Sequence, residues 1–453
     1  MQNTPGFLIS ACQSHTGKTT VTLAMMAALR AAGIPVAPFK AGPDFIDPQW
    51  HAAICRRPSY TLDTCMVGAE ESRSLLAQKR RAGEMAVVEG VMGLYDGKTG
   101  VGGTGSTADL ARTLGLPVVL VVNAKGMAGS MAPLVAGFTH FAQGFSMAGI
   151  LANRVGSARH AQILRQALQE HDLPPLLGWM TESAAIGLGE RHLGLLMPQD
   201  QPPPAESALL EALTLDLALL QERIRLPPNL ATPSPTPPDT LATPLLAGKR
   251  IAVARDAAFC FVYPANLEQL RAWGATLHLF SPLAGEPLPA GTDALWLPGG
   301  YPELHAASLA HSASWPDIRQ AVGRGLPVLA ECGGMMALGE SLTDHAGHRW
   351  PMAGVLPIHT RMTNRLAGLG YRQESSGVRG HEFHHSIRDP SGLEPAFQMD
   401  RGDAGVRLLA VRASYIHWYF PSHPEACARW FSNDPAPPHS PMRHRYATGT
   451  QQT

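Results

Sequence analysis

The chain has 453 residues, of which 45% are hydrophobic and 16% charged, so it can form more than one packed core and is not a disordered chain. Lysine plus arginine and aspartate plus glutamate number 36 each, which excludes a strong overall field toward nucleic acid or anionic lipid. The six cysteines lack the spacing of a metal site, no secretory leader is evident, and no apolar run reaches the length of a membrane span. We therefore expect a cytoplasmic protein with no nucleic-acid or membrane partner.

Short apolar runs bounded by glycine or proline alternate with helical patterns in the first part of the chain. Strands that are apolar at every position and alternate with helices are typical of a parallel sheet covered on both faces. The predicted helices include Val21–Ala31 and Ala108–Leu114. The predicted strands are Phe7–Ala11, Val36–Ala41, Met85–Val88, Val118–Asn123, Ala148–Ala152 and Leu176–Trp179.

The composition then changes, and a second α/β pattern follows. Proline-rich Gln201–Pro204 precedes a predicted helix at Ser207–Arg223, and Pro227–Pro244 is dominated by proline, threonine and serine, as in a linker. Further strands are predicted at Arg250–Arg255, Ala294–Leu297, Val328–Ala330 and Leu408–Tyr415. We divide the chain into an α/β domain at 1–200, a linker with one helix at 201–247, a second α/β domain at 248–435 and a polar tail at 436–453.

The turn after the first strand has the composition of a phosphate-binding loop. Gly17 permits a tight turn, Lys18 can reach terminal phosphates, and the Thr19 hydroxyl can bind Mg²⁺. The sequence departs from the general pattern because Cys12 stands where a glycine is expected, so a chance Gly-Lys-Thr at a helix start is the alternative. The predicted ATP-binding residues here are Ser14, His15, Thr16, Gly17, Lys18, Thr19 and Thr20.

Carboxylates follow the second and third predicted strands. Asp44, Asp47, Glu89 and Asp96 all fall near carboxyl ends of parallel strands, where ligands of open α/β sheets bind. We expect Thr19, Asp47 and Glu89 to hold Mg²⁺, and Asp44 and Asp96 to face the substrate. The alternatives are a plain turn at Asp96 and a helix start at Asp47.

A second reactive turn is predicted at Cys332. Pro327–Glu331 reads as a buried strand, and the two glycines after the cysteine allow a strained turn that exposes a thiol. Backbone N–H groups of Gly300 and Gly333 are candidates for an oxyanion hole. His417 lies on an apolar strand, where a histidine is often a core residue, but beside such a turn we expect it to be the base for Cys332.

A histidine-rich segment, Gly380–Ser386, is the hardest motif to interpret. Three histidines fall within five residues, but no fourth metal ligand is evident by spacing, so we favour a strand that lines a site for an anionic substrate. His381 and His384, together with Lys40, are the predicted substrate contacts from the polar segments. The phosphate loop and the thiol turn together suggest ATP activation of a carboxylate and delivery of ammonia to it.

In this order the motifs resemble the cobyrinic acid a,c-diamide synthase family, also called CobB/CbiA, over nearly the whole chain. The motifs that carry the resemblance are Gly17–Thr20, Lys40–Pro48, Glu89–Gly97, Pro298–Glu303, Ala330–Gly334 and Gly380–Ser386. The resemblance implies a dethiobiotin-synthetase-like N-terminal P-loop domain and a C-terminal class I glutamine amidotransferase domain. It also implies ATP- and Mg²⁺-dependent amidation of the a- and c-side chains of cobyrinate or hydrogenobyrinate, with L-glutamine as nitrogen donor.

The same resemblance implies two residue assignments. Asn153 matches the position that reads adenine, and Tyr419 stands where many glutaminases have the glutamate of a His-x-Glu pair. Three alternatives stay open: a cobyric acid synthase, a nickel-sirohydrochlorin a,c-diamide synthase and a regulatory P-loop ATPase, the last of which has no need of Cys332. A homodimer is also left open.

Overall fold

The computed structural model describes residues 6–98, 103–191, 194–225 and 244–432. The first part forms an eight-stranded sheet in the order β10-β7-β6-β5-β1-β4-β2-β3, parallel except where β10 pairs with β7. Its six predicted strands are confirmed, and the two short edge strands were not predicted. The strands are β1 Gly6–Ala11, β2 Val36–Ala41, β3 Tyr60–Leu62, β4 Met85–Glu89, β5 Val118–Asn123, β6 Met147–Asn153, β7 Leu176–Met180, and β10 Leu213–Leu215, with a small hairpin of β8 Glu190–Arg191 and β9 Gly194–Leu195.

Helices cover both faces of this sheet, because its strands are apolar on both sides. One buried cluster includes Trp50 and Leu209, and the other includes Leu110 and Leu164, which lie on helices of the opposite face. The helices are α1 Lys18–Ala31, α2 Asp47–Cys55, α3 Ala69–Lys79, α4 Thr107–Leu114, α5 Met131–His140, α6 Ala158–Gln169, α7 Glu206–Ala212 and α8 Leu217–Arg223.

The predicted single helix at Ser207–Arg223 is wrong, because the chain forms two short helices there. Between α7 and α8 it extends as β10, whose Leu213 pairs with Met180 at the edge of the sheet. The side chain of Asp216 then accepts the N–H of Leu219 and caps the second helix. Residues 226–243 of the predicted linker, and the whole predicted polar tail, lie outside the described residues.

The second part contains a six-stranded sheet, ordered β12-β11-β13-β14-β22-β21, and two smaller sheets. The histidine-rich strand β19 and the His417 strand β23 belong to a separate three-stranded antiparallel sheet, β18-β19-β23. The strands are β11 Arg250–Ala254, β12 Thr276–Phe280, β13 Ala294–Leu297, β14 Val328–Glu331, β15 Ser341–Thr343, β16 Arg349–Pro351, β17 His359–Met362, β18 Gly368–Gln373, β19 Arg379–His384, β20 Ser386–Arg388, β21 Val406–Leu408, β22 Val411–Ser414 and β23 Ile416–Tyr419. The helices are α9 Pro264–Ala272, α10 Ala306–Leu309, α11 Ser314–Gly323, α12 Gly333–Leu338 and α13 Pro424–Arg429.

The predicted continuous strand at Leu408–Tyr415 is also wrong. Leu409 has a φ of 52°, a left-handed turn conformation that ends β21, and the chain returns antiparallel as β22. Strand β22 pairs with β14, whereas the following β23 pairs with β19, so the chain changes sheets immediately before His417.

The two α/β parts share a buried interface. Met66 and Val67 of the first part pack with Tyr263, Ala265 and Tyr419 of the second in one apolar cluster. Around it, Tyr371 donates to Asp63 at 2.5 Å, Arg379 donates to the Val67 carbonyl at 2.8 Å, and Lys79 lies 2.6 Å from Glu268.

None of the described helices combines the length and apolar character that a membrane crossing requires.

Candidate active site

The phosphate-binding turn lies at the carboxyl end of the central strand β1. Gly17 has a φ of 88° and ends the turn, and α1 begins at Lys18 with its N-terminus facing the loop. Lys18 donates to the carbonyl of Met92 at 2.6 Å, and Thr19 donates to Glu89 at 2.8 Å. Burial, followed by the charge of Lys40, lowers the pKa of Lys18. The predicted strand-turn-helix context is therefore present.

The other predicted loop residues differ in their exposure to solvent. Ser14 and His15 are exposed, with His15 at a φ of 59°, whereas Thr16 is buried and donates to the carbonyl of Gln13 at 2.8 Å. Thr20 is half-buried on the first turn of α1. Backbone and side-chain groups of the exposed residues are thus on the solvent side of the turn.

Asn153, at the end of β6, contacts this loop directly. Its amide nitrogen donates to the Thr16 carbonyl at 2.8 Å, and its oxygen accepts the N–H of Arg154 at 2.9 Å. A Cβ atom on Gly17 would lie only 2.3 Å from the Asn153 amide nitrogen, so the glycine is required by space as well as by φ. In this structure Asn153 supports the loop, and its reading of adenine stays a prediction.

Three of the four predicted carboxylates surround the buried amine of Lys40. Its Nζ lies 2.8 Å from Asp47, 3.5 Å from Glu89 and 3.7 Å from Asp44, and it donates to the Gly90 carbonyl at 2.9 Å. Lys40 and Glu89 are at neighbouring positions on the paired strands β2 and β4, which explains why the sheet brings them together.

The charged groups of this cluster shift one another's pKa values. Burial alone would lower the pKa of Lys40, but Asp47, Glu89 and Asp44 outweigh it and raise that pKa. Burial would raise the pKa of Glu89, but Lys40 and the hydrogen bond from His51 outweigh it and lower that pKa. Burial, Asp44 and Glu89 raise the pKa of Asp47 above its usual range despite Lys40. Glu89 is therefore more firmly ionised than Asp47.

Asp44 and Asp96 occupy different environments. Asp44 accepts the N–H groups of Ile46 and Asp47 at 2.8 and 3.1 Å and so caps the start of α2. Asp96 is exposed and accepts the N–H of Gly93 at 2.8 Å in a turn outside the Lys40 cluster. Asp96 therefore makes no ion pair with Lys40, and its place beside the substrate stays a prediction.

Sequence reasoning missed His51. Its Nε2 lies 2.7 Å from Glu89 and its Nδ1 lies 3.1 Å from the hydroxyl of Ser59, and the ring is fully buried. The available signal was its position four residues after Asp47, which puts both side chains on one face of α2. His51 fixes the orientation of Glu89 toward Thr19.

The thiol turn is strained as predicted, but the expected exposure of the thiol is wrong, because Cys332 packs in the apolar core of the second part. Cys332 follows β14 with a φ of 45° and a ψ of −108°, and α12 begins at Gly333. Its N–H donates to the Ser414 carbonyl at 2.7 Å, which holds the turn against β22. Burial, followed by Glu303, raises the pKa of the Cys332 thiol, so the free site holds a neutral thiol that needs a base to react.

Glycines make room for the groups around this cysteine. A Cβ on Gly299 would lie 2.2 Å from Cε1 of His417 and 3.2 Å from Cβ of Cys332, so both side chains converge beside this glycine. A Cβ on Gly333 would lie 3.1 Å from the backbone nitrogen of Gly300. The backbones of Gly300 and Gly333 are therefore close neighbours at the thiol, as an oxyanion hole requires.

His417 is buried beside the thiol with one ring nitrogen available. Its Nδ1 has no hydrogen-bond partner within the described residues, so a carboxylate of the usual triad kind does not hold the ring there. Burial, then the nearby His381 and His384, lower the pKa of His417 well below its usual value. A neutral imidazole of this kind can accept a proton from Cys332.

The two predicted histidines of β19 have different partners. His381 pairs across strands with His417, with ring centroids 6.5 Å apart, and burial lowers its pKa to about 4. His384 lies 3.0 Å from Glu382 and 2.7 Å from the Ser386 carbonyl, and it stacks on Tyr415 at 3.7 Å. Both ring nitrogens of His384 are thus engaged, and its contact with substrate stays a prediction.

The nucleotide-binding side and the thiol side meet at Phe45. This residue follows Asp44 in the chain, and its ring lies 4.9 Å from that of His417 and 4.4 Å from that of Tyr263. It also stacks on Phe261 at 5.0 Å. One short segment therefore borders both sites.

Comparison with known proteins identifies the class of both halves. Residues 7–195 match the CobQ/CobB/MinD/ParA nucleotide binding domain, and residues 250–425 match the CobB/CobQ-like glutamine amidotransferase domain. A nucleotide-binding domain joined to a glutamine amidotransferase domain defines a glutamine-dependent amidating enzyme.

The chain belongs to the family of cobyrinate and hydrogenobyrinate a,c-diamide synthases. It is 41% identical to the cobyrinate a,c-diamide synthase of Herminiimonas arsenicoxydans, covering 94% of this chain and 96% of the relative. It is 42% identical to the hydrogenobyrinate a,c-diamide synthase of Stutzerimonas stutzeri, covering 94% and 98%. The cobyrinate a,c-diamide synthase of Salmonella typhimurium is 37% identical, with 94% and 97% covered.

Proposed function

We propose that this enzyme uses ATP to amidate the a- and c-carboxylates of cobyrinate or hydrogenobyrinate, with glutamine as the nitrogen donor, in cobalamin biosynthesis. The observation that carries the proposal is the position of Phe45, which follows Asp44 of the Lys40 cluster and whose ring lies 4.9 Å from that of His417 beside the thiol turn. The choice of corrin follows the names of the relatives, which include both the cobalt-containing and the metal-free substrate.

In the glutaminase half, Cys332 attacks the side-chain amide of glutamine. His417 accepts the thiol proton, the new S–C bond forms, and the backbone N–H groups of Gly300 and Gly333 stabilise the oxyanion. The C–N bond then breaks, and the proton from His417 goes to the leaving nitrogen, which departs as ammonia. Water hydrolyses the thioester and releases glutamate. The lowered pKa of His417 keeps the ring neutral, so that it can take the proton, and it also makes the ring a weaker base than an ordinary histidine.

In the synthetase half, the loop from Ser14 to Thr20 binds the ATP phosphates. Lys18, at the start of α1, neutralises negative charge as the γ-phosphoryl group moves to a substrate carboxylate. Asn153 holds the loop through the Thr16 carbonyl and is also our candidate for reading adenine. The resulting acyl phosphate is a good electrophile, so ammonia forms the amide and phosphate leaves with the C–O bond electrons.

Thr19, Asp47 and Glu89 fit a Mg²⁺ ion. They are hard oxygen donors, the Thr19 hydroxyl lies 2.8 Å from Glu89, and both carboxylates face the same Lys40 amine, at 2.8 Å from Asp47 and 3.5 Å from Glu89. Mg²⁺ usually takes only one or two protein carboxylates and completes its shell with phosphate oxygens. In the described parts of the chain there is no group of three or more His, Cys, Asp or Glu side chains that could hold a metal ion by themselves. When bound, the ion would neutralise phosphate charge.

Substrate contacts are proposed on the side of the synthetase site that faces the glutaminase. Asp44 lies between the Lys40 cluster and His381, whose pKa it influences by its charge. Lys40 balances the local carboxylates and would attract the carboxylate to be amidated. Asp96, exposed near the phosphate loop, and His384 complete the proposed set.

The experiment that tests this function counts amides. The protein is incubated with cobyrinate, hydrogenobyrinate or nickel-sirohydrochlorin, each with ATP, Mg²⁺ and glutamine, and the products are analysed by mass. We expect two amides on one of the two corrins, with glutamate and ADP formed in step. Four added amides, with a diamide supplied as the substrate, would indicate a cobyric acid synthase. Reaction with nickel-sirohydrochlorin alone would indicate a nickel-sirohydrochlorin a,c-diamide synthase.

A further inference from the structure

The catalytic histidine of the proposed glutaminase lacks a carboxylate partner, which raises the question of what positions it. The Nδ1 atom of His417 makes no hydrogen bond to any residue that the structure describes, and Tyr419 stands where many glutaminases carry a glutamate. One edge of its strand β23 pairs with β19. At the opposite edge of β23, the backbone forms hydrogen bonds with side chains and not with another strand.

Glu331 is the side chain that joins this edge to the nucleophile. It directly precedes Cys332, is 2% exposed, and accepts the backbone N–H of Trp418, the residue after His417, at 2.8 Å. Its other oxygen accepts the indole N–H of Trp296 at 3.0 Å. A single carboxylate therefore connects the neighbour of the nucleophile to the neighbour of the base.

We propose that Glu331 is a positioning residue that sets the separation between Cys332 and His417, in place of the carboxylate that would otherwise hold the imidazole. The inference rests on the proposed function of these two residues. The connection is short, because the single side chain of Glu331, the residue before Cys332, reaches the backbone N–H of Trp418, the residue after His417. A misplacement of about 1 Å between reacting groups can cost about 100-fold in rate, so such a connection has a large effect on catalysis.

The burial of Glu331 is consistent with a carboxylate whose role is to accept these two hydrogen bonds. It raises the pKa of Glu331 to about 8, although both hydrogen bonds act in the opposite direction. An ionised Glu331 also disfavours the Cys332 thiolate. The charge of Glu331 therefore acts against thiol activation, and we assign its contribution to catalysis to the two hydrogen bonds.

The test uses Glu331→Gln, which keeps the side-chain shape but has only one oxygen for two N–H donors. Its NH₂ group must face either Trp418 or Trp296, so the connection to β23 is weakened. We expect the glutaminase kcat to fall about 10- to 100-fold with little change in KM, while amidation with high ammonium is retained. Thermal unfolding checks that the fold is intact.

A second substitution separates the two hydrogen bonds. Trp296→Phe removes the indole donor and leaves the Trp418 N–H bonded to Glu331, so it should lower kcat much less than Glu331→Gln does. In the double variant Glu331→Gln/Trp296→Phe, the single amide oxygen serves only Trp418, and kcat should recover toward the wild-type value. This recovery is not expected if Glu331 only contributes to packing.

Three results would overturn the inference: an unchanged kcat in Glu331→Gln, an equal loss of ammonium-dependent amidation, or a double variant no better than Glu331→Gln. Faster alkylation of Cys332 by iodoacetamide, with kcat raised, would assign an electrostatic role instead. Cys332→Ser is measured in parallel. If that variant keeps glutaminase activity, the proposed function itself fails, whereas its inactivity beside an unchanged Glu331→Gln overturns only the positioning role.

Discussion

The ring of Phe45 lies 4.9 Å from the ring of His417, although 372 positions separate them in the 453-residue chain. Phe45 stands between Asp44, which caps α2, and Ile46, and so belongs to the segment that shapes the Lys40 cluster. This contact makes one aromatic side chain a boundary of both reactions. In the mechanism that we propose, ammonia released at the thiol passes this boundary to reach an acyl phosphate.

Replacing Phe45 should uncouple the two reactions. In Phe45→Ala the ring contacts with His417, Tyr263 and Phe261 are lost, so ammonia and water can exchange with solvent at the interface. We expect the ratio of glutamate to amide to rise from near unity by about threefold or more, while ammonium-dependent amidation persists. Phe141→Ala, which removes an exposed ring elsewhere, is the control. An unchanged ratio in Phe45→Ala would contradict the boundary role.

Cys332→Ser should eliminate amidation with glutamine but leave amidation with high ammonium. The serine cannot form the thioester, yet the synthetase half is untouched, so only the nitrogen source is lost. Initial rates with both nitrogen sources check this prediction. Cys65→Ser, at a half-buried cysteine of the first domain, should retain both activities. Loss of both activities in a folded Cys332→Ser protein would rule out two separate sites.

Lys18→Ala should lower amidation from either nitrogen source, by about 10²–10³-fold, because it removes a charge that stabilises the transferring phosphoryl group. Basal hydrolysis of glutamine should continue. Parallel assays of ADP, amide and glutamate distinguish the two effects, with Lys249→Ala as the control for loss of a lysine elsewhere. Normal ATP-dependent amidation in Lys18→Ala would show that ATP binds in a different place.

Substitutions of the four carboxylates should change the activity of the synthetase half in different ways. Asp47→Asn and Glu89→Gln should raise the Mg²⁺ concentration needed for activity, and excess Mg²⁺ should restore part of the rate. Asp44→Asn and Asp96→Asn should instead allow monoamide to accumulate, since the second amidation requires the product to bind again in a new orientation. Mass analysis of the product mixture separates the two patterns. Full rescue of both Asp44→Asn and Asp96→Asn by Mg²⁺ would reverse this division.

The pH dependence of glutamine hydrolysis should reflect the burial of both reacting groups. His417 acts as a base when neutral, and its lowered pKa keeps it neutral as the pH falls through the usual histidine range. The acid limb of kcat/KM should therefore lie below pH 6.5, the ordinary histidine value. The raised pKa of Cys332 means that alkylation of the free enzyme should keep increasing above pH 9.0. An acid limb centred near the ordinary value would contradict a buried neutral base.

The two reactive turns were predictable because their chemistry is local. A short apolar strand, a glycine-bearing turn and a helical pattern occur together in sequence at Gly17-Lys18 and at Cys332-Gly333, and the backbone conformation follows from neighbouring residues. The six main strands of the first sheet were also predictable, because each is apolar throughout and strands of this kind are buried on both faces.

The tertiary structure alone decided the contacts between distant segments. Neither the antiparallel addition of β10 nor the change of sheet before His417 has a periodic signal, because both depend on which strand edges are left to pair. His51 on Glu89, Glu331 on the Trp418 backbone and Phe45 on His417 are also contacts across elements. Sequence determined which groups are reactive, whereas tertiary packing within and between the two domains determined which groups hold them in place, since hydrogen bonds and ring contacts depend on distance in space and not on position in the chain.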